Sequence, residues 1–237
     1  MEGIGTLGAR GSEGESGQMA TKGTGIVWSD VSQWTLEVRQ ERSRRTLHLI
    51  LDAALKLFMA KGYEGTSVVD IATEAGLSPG ALYRRFADKD AVLYTVINGY
   101  YDARRREFDE FVAQQIEPAA SKDELLALYV EIIFSAYRND PGLARLVQRR
   151  ALVDASVRRR VLQNARHVSD RIAECLARHD PRPVAYLKER MAGWHDVMRG
   201  ALVLILLPDE GEPRAHLSLA DSDFQSDMLN AVKGWLA

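Results

Sequence analysis

The chain has 237 residues, enough for one large domain or two modest ones, and 46% of them are hydrophobic, as in an ordinary folded protein. Its formal charge of −2 excludes a bulk-basic nucleic-acid coat protein, so any contact with DNA must use a local patch. The single cysteine, Cys175, excludes an internal disulfide and reads as a buried, inert thiol in a reducing cytosol.

Residues 1 to 38 are expected to form a disordered tail, because a glycine-rich segment with few large apolar residues cannot offset its ordering entropy. The tail holds a literal G-x-G-x-x-G at Gly3, Gly5 and Gly8. It is rejected as a nucleotide site, since no strand precedes it and no helix follows. No apolar signal core is present at the start, and Met19 is a possible natural start. The longest apolar run, Ala201 to Leu207, is far short of the roughly 18 residues of a membrane span. A cytoplasmic protein with no membrane partner is expected.

From Arg42 onward the text is helical and the prolines fall at joints, so the fold class is all-α. The first helix is expected from about Ser43 to Lys61, with Leu47, Ile50, Leu51, Ala54, Leu57 and Phe58 on one stripe and Gly62 closing it. The second runs from about Val68 to Ala75, with Ser67 and Asp70 spaced as a capping box. The third opens on Ser78-Pro79, a serine cap followed by proline at the first helical position, and ends near Phe86. The fourth starts at Asp88 and reaches about Gln115.

The second and third helices, joined by Ala75-Gly76-Leu77-Ser78, form a helix-turn-helix. Gly76 supplies the left-handed turn, Ala72 and Ala75 let the helices cross closely, and Leu77, Leu82 and Phe86 anchor the third helix. Pro79, Gly80, Ala81, Tyr83, Arg84 and Arg85 are left facing outward, on a helix that fits a major groove about 12 Å wide. Arg84 and Arg85 suit guanine edges or phosphates, and Tyr83 suits a phosphate. Lys89 with the backbone N–H groups of the fourth helix suits a phosphate too. Arg42, Arg44 and Arg45 are read as a basic entry preceding the first helix.

The ordered set Gly62-Tyr63, Thr66-Ser67-Val68, Ile71-Ala72, Ala75 to Tyr83, Phe86 to Lys89 and Leu93 resembles the DNA-binding signature of the TetR/AcrR family of transcriptional regulators, over about residues 42 to 95. The resemblance implies DNA contacts at Thr66, Ser67, Ser78, Pro79, Gly80, Ala81, Tyr83, Arg84, Arg85 and Lys89. It also implies a homodimer on a palindromic operator, and an unknown small-molecule effector that releases a repressor. Arg84-Arg85 stand where many relatives have an aromatic residue and a histidine, which leaves the operator sequence open. The architecture implied is a three-helix DNA-binding module over residues 39–90 and a helical sensor and dimerisation domain over 91–237, about nine helices in all.

Five further helices are expected, at about Ser121–Asn139, Pro141–Val153, Ala155–His179, Pro183–Leu207 and Asp223–Leu236. Leu187, Met191, Trp194, Met198, Ala201 and Ile205 make a near-heptad seam, and the resemblance implies that the last two helices pair with their copies. The candidate effector residues are Tyr101, Phe108, Phe134 and Tyr137 in the earlier helices, with Leu146, Trp194, His195 and Met198 later. Each is also consistent with plain core, and Trp194 with the dimer seam. His167, His179, His195 and Asp196 lack ligand spacing, so neither metal nor cofactor is expected. The runs Arg104 to Arg106 and Arg158 to Arg160 read as solvated faces. No nucleophile elbow, phosphate loop or catalytic carboxylate pair appears, so no enzyme is expected. A TetR-like activator, a ligand-independent regulator, and an all-α carrier or enzyme with an incidental helix-turn-helix are the alternatives.

Overall fold

The computed structural model describes residues 41–208 and 217–237, with backbone alone at Glu41 and Arg42. The expectations for the tail, for the Arg42 side chain and for Pro213 lie outside the described residues. The described residues form nine α-helices and no strand. They are α1 (Glu41–Lys61), α2 (Val68–Glu74), α3 (Pro79–Tyr83), α4 (Lys89–Phe111), α5 (Lys122–Asn139), α6 (Pro141–Val153), α7 (Ala155–Leu176), α8 (Val184–Leu206) and α9 (Ser222–Trp235).

Local chemistry sets most of the boundaries. Ser67 and Asp70 close a reciprocal capping box on α2, and Ser78 caps α3 with proline in its first turn. Asp88, Ser121, Asp154 and Asp221 cap α4, α5, α7 and α9 by accepting backbone N–H groups. Gly76 turns the chain between α2 and α3 at φ +67°, and Gly62 leaves α1 at φ +72°. α4 does not simply stop near Gln115: it widens into a π-helical turn over Val112–Ile116 just before Pro118.

Two apolar clusters hold the helices. The first joins Ile50, Phe58, Ile71, Leu82 and Phe86 to the first half of α4, and takes in Leu143 and Val147 of α6 and Val157 of α7. The three-helix module is therefore packed directly on α4, α6 and the start of α7. The second gathers α5, the later part of α7, α8 and α9 around Tyr129, Phe134, Ile172, Met191 and Leu202. The seam residues Leu187, Met191, Trp194 and Met198 all point into this second cluster. The seam is thus spent within the chain, because α5, α7 and α9 together cover that side of α8.

Candidate DNA interface and effector cavity

α3 stands out from its module. Leu82 and Phe86 are buried beneath it, while Ser78, Pro79, Gly80, Tyr83 and Arg84 are exposed and Ala81 is half-buried. A Cβ added at Gly80 would meet nothing within 4 Å, so this stretch presents bare backbone as well as side chains. The helix is shorter than expected: its last helical residue is Tyr83, with Arg84 at its C-cap. Ser67 lies exposed at the start of α2, with its hydroxyl shared with the Asp70 carboxylate at 2.7 Å.

Three expected contact residues are engaged inside the protein. Thr66 is 1% exposed and donates its hydroxyl to the Gly62 carbonyl at 2.8 Å. Lys89 donates to the carbonyls of Tyr63 and Thr66 at 2.8 and 2.9 Å, with its ammonium 4.0 Å from the Tyr63 ring centroid. These bonds tie the loop between α1 and α2 to the start of α4, and they compete with any phosphate for the Lys89 ammonium. Arg85 turns back across the module and donates to the Ser43 hydroxyl at 2.9 Å. Arg44 and Arg45 are exposed, and they sit within the first turns of α1 rather than ahead of it.

A second feature lies among α4 to α8, a cavity with about 110 Å³ of room for water. Of the candidate effector residues, Tyr101, Phe108, Tyr137 and His195 line it. Phe134, Leu146, Trp194 and Met198 do not. Phe134 packs edge-on against Phe224, with ring centroids 5.3 Å apart, and Trp194 packs on Trp235 at 6.0 Å. Leu146 belongs to the first cluster, under the DNA-binding module, and Met198 is fully buried in the second. Helical spacing cannot distinguish these fates, because each residue sits on an inward face.

Sequence reasoning missed Tyr100, Arg104, Gln148, Asn164 and Arg199, which also line the cavity. The sequence places Arg104 in a run of arginines that reads as a solvated face. Its side chain is only 19% exposed, with Glu107 at 3.3 Å and Asp140 at 3.6 Å. Arg160, from the other run, pairs with Asp102. Both arginines carry their charge inward because a carboxylate on another turn or helix meets it.

Inside the cavity, burial favours the neutral forms of the imidazole and the phenols. Desolvation lowers the His195 imidazole to about 4, aided by the nearby Arg199 charge and opposed by Asp196. Its Nδ1 lies 2.9 Å from the Tyr129 hydroxyl. Burial also raises the Tyr100 phenol to about 12 and lifts Tyr101 and Tyr137 well above the ordinary phenol range. A mostly apolar hollow with a few polar groups converging on it is the usual form of a small-molecule site.

The cavity and the DNA-binding module are joined through α6. Arg150, two residues beyond the cavity residue Gln148, reaches Asp90 at 3.1 Å and Asp154 at 3.3 Å, and stacks 4.3 Å from the centre of the Tyr63 ring. Tyr63 donates to Asp90 at 2.6 Å, and Tyr94 of α4 donates to Asp154 at 2.8 Å.

Residues 50–95 match the family model described as bacterial regulatory proteins, tetR family. The chain is 40% identical over 86 residues to an uncharacterised HTH-type transcriptional regulator, YuxN of Bacillus subtilis, a match covering 36% of this chain and 30% of that one. It is 31% identical over 88 residues to the HTH-type transcriptional repressor KstR2 of Rhodococcus jostii, covering 37% and 43%. The matches span between 29% and 54% of the length of these and the other curated relatives. Among solved structures, a TetR-family regulator from Mesorhizobium loti superposes with a TM-score of 0.63 at 20% identity, over 83% of this chain and 98% of the other. The regulator FadR of Bacillus subtilis, solved with stearoyl-CoA, superposes with a TM-score of 0.53 at 20% identity, over 78% and 96%. At these identities the likeness is one of fold.

Proposed function

From a chain that carries the TetR-family DNA-binding module on the fold of TetR-type regulators, we propose a homodimeric, sequence-specific repressor that leaves its operator when a small effector fills the cavity. The observation that carries this reading is the exposed face of α3, capped by Ser78 and seated on buried Leu82 and Phe86. Pro79, Gly80 and Ala81 bring the backbone close to the major groove. Tyr83 and Arg84 reach phosphates or base edges, and Ser67, Arg44 and Arg45 grip the flanking backbone. Thr66, Arg85 and Lys89 act mainly by shaping this surface, with their backbone or residual charge toward the phosphates.

The second copy is assigned to the outer face of α8. There Val197 is 51% and Leu204 66% exposed, and Gly200 lies open between them. Small residues beside large apolar ones allow two helices to approach closely, and burying this patch removes apolar surface from water. α9 lies beside α8 and presents the small residues Ala231 and Gly234 outward, which makes a four-helix contact between the two copies.

In this reading residues 39–90 read DNA and residues 91–237 sense and dimerise. α4 and α6 belong to the cavity wall at one end and to the module's footing at the other. An effector that displaces α6 shifts the Arg150 contacts and with them the separation of the two α3 helices, which on DNA is one turn, about 34–36 Å. The coupling expected is about 1–3 kcal/mol. Selection of bound sequences from random DNA tests the proposal: inverted repeats bound by a dimer are expected, and a monomer without sequence preference would overturn it.

A further inference from the structure

Several hydrogen-bond donors on the cavity wall have no acceptor among the described residues, and one wall acceptor, the buried Glu107 Oε2, has no hydrogen-bond donor among them. Tyr100 and Tyr101 are buried, Tyr137 is half-buried, and all three line the cavity with no hydroxyl partner among the described residues. His195 is 5% exposed. If the neutral Tyr129 hydroxyl donates to Nδ1, the Nε2 of this neutral ring carries the hydrogen. It too is without a partner among the described residues.

The charges are also unevenly matched. Arg104 is compensated twice, by Glu107 and Asp140. Among the described residues Arg199 has only Asp196, at 3.4 Å, and that carboxylate is 62% exposed to water. The Nε of Arg199 is buried and has no acceptor. Buried donors without acceptors are costly, and a guanidinium in that position favours a carboxylate over a neutral group. The apolar part of the lining includes Phe108, Ile132, Ile133, Val147, Val161 and Val168.

Size restricts the choice further. The cavity has about 110 Å³ of room for water, which suits a compact ligand.

We propose that the cavity takes a compact carboxylate with an apolar body, the size of benzoate, its oxygens met by Arg199 and the hydroxyls of Tyr101 and Tyr137. The proposal rests on the cavity being the effector site. The ring of the acid packs on the apolar lining, Phe108 and Val161 among it, and its charge goes to Arg199.

The test is isothermal titration of the full chain with benzoate and cyclohexanecarboxylate, beside their neutral amides, for the native protein, Arg199→Gln and the cavity-filling Val161→Phe. Circular dichroism checks that each variant is folded. The acids are expected to bind at one per chain, at least ten-fold tighter than the amides. Arg199→Gln should erase that preference, and Val161→Phe should abolish binding of both. Equal binding of acids and amides, sensitive to Val161→Phe, would overturn the carboxylate while leaving the cavity as the effector site. Binding indifferent to Val161→Phe, or no binding by any of the four compounds, would overturn the carboxylate and remove the support for the cavity as well.

Discussion

Arg84 and Lys89 show how differently two cations of one module are used. Arg84 is exposed at the end of α3, with no side-chain hydrogen bond or ion pair among the described residues. Arg84→Ala should therefore cost about 1–3 kcal/mol of operator binding and relax base preference, while the melting temperature stays put. Lys89 is bound to two carbonyls. Lys89→Ala should lower stability by about 1–3 kcal/mol, since those acceptors lose a charged donor, with weaker binding to all DNA sequences following from the loosened loop. Fluorescence anisotropy beside thermal unfolding separates the two outcomes. His195 makes a further residue-scale prediction. Its imidazole is held near 4 in the folded chain against an ordinary value near 6.5. Between those pH values the unfolded chain takes up a proton that the folded chain does not. Stability should therefore fall as pH drops from about 6.5 toward 4, by up to about 3 kcal/mol from this group. Urea unfolding across that range should show the slope, and His195→Gln should flatten it.

At the scale of elements, the turn between α2 and α3 depends on one backbone conformation. Gly76 sits at φ +67° with open space where a Cβ would go, so Gly76→Ala meets no clash and suffers only the left-handed backbone penalty. That penalty is about 1–2 kcal/mol, to be read as a lower unfolding midpoint at unchanged m-value. DNA affinity should fall with it, because the same turn aims α3. The outer face of α8 is the complementary case, an element whose chemistry is set by what it faces. Its inner stripe, Leu187 to Met198, is consumed by the chain's own core, whereas Val197 and Leu204 are left over. Leu204→Glu should leave the fold intact and yield monomers in light scattering, with operator affinity lost because each half-site is then bound alone. A stable dimer in that variant would move the interface elsewhere.

For the whole molecule the question is how a hollow between α4 and α8 reaches α3. The first apolar cluster runs unbroken from α1 to α4 and on into α6 and α7, so the DNA-binding module has no independent footing. Arg150 is the polar counterpart of that continuity. It draws Asp90 of α4, Asp154 at the start of α7 and the ring of Tyr63 around one guanidinium. Asp154 is pulled below the usual carboxylate range: burial opposes this, but the Tyr94 hydroxyl, two backbone amides and Arg150 prevail. Arg150→Ala should preserve dimerisation and effector binding yet reduce the effect of effector on operator affinity. A double-mutant cycle with Tyr63→Phe should show the two residues to be non-additive. Undiminished release by effector in Arg150→Ala would mean that the signal travels by packing alone.

What the sequence by itself determined is the part governed by neighbours within a few residues. The capping box, the Ser78-Pro79 start, the positive-φ glycine and the inward anchors Leu82 and Phe86 all follow from local hydrogen bonding and helical period, and they are enough to define the helix-turn-helix. Most helix spans in the second half were legible for the same reason, to within a few residues. Tertiary structure decided whatever depends on residues far apart in the chain. It shortened α3, turned Lys89 and Arg85 back onto carbonyls and a hydroxyl some 20 to 40 positions away, and buried Trp194 against Trp235 rather than in the cavity. It also brought Arg104, which reads as a solvated charge in the sequence, into one hollow with Arg199. A helical face tells which side is inward. Whether that side meets a core, a cavity or a second chain is fixed only by the helix lying opposite.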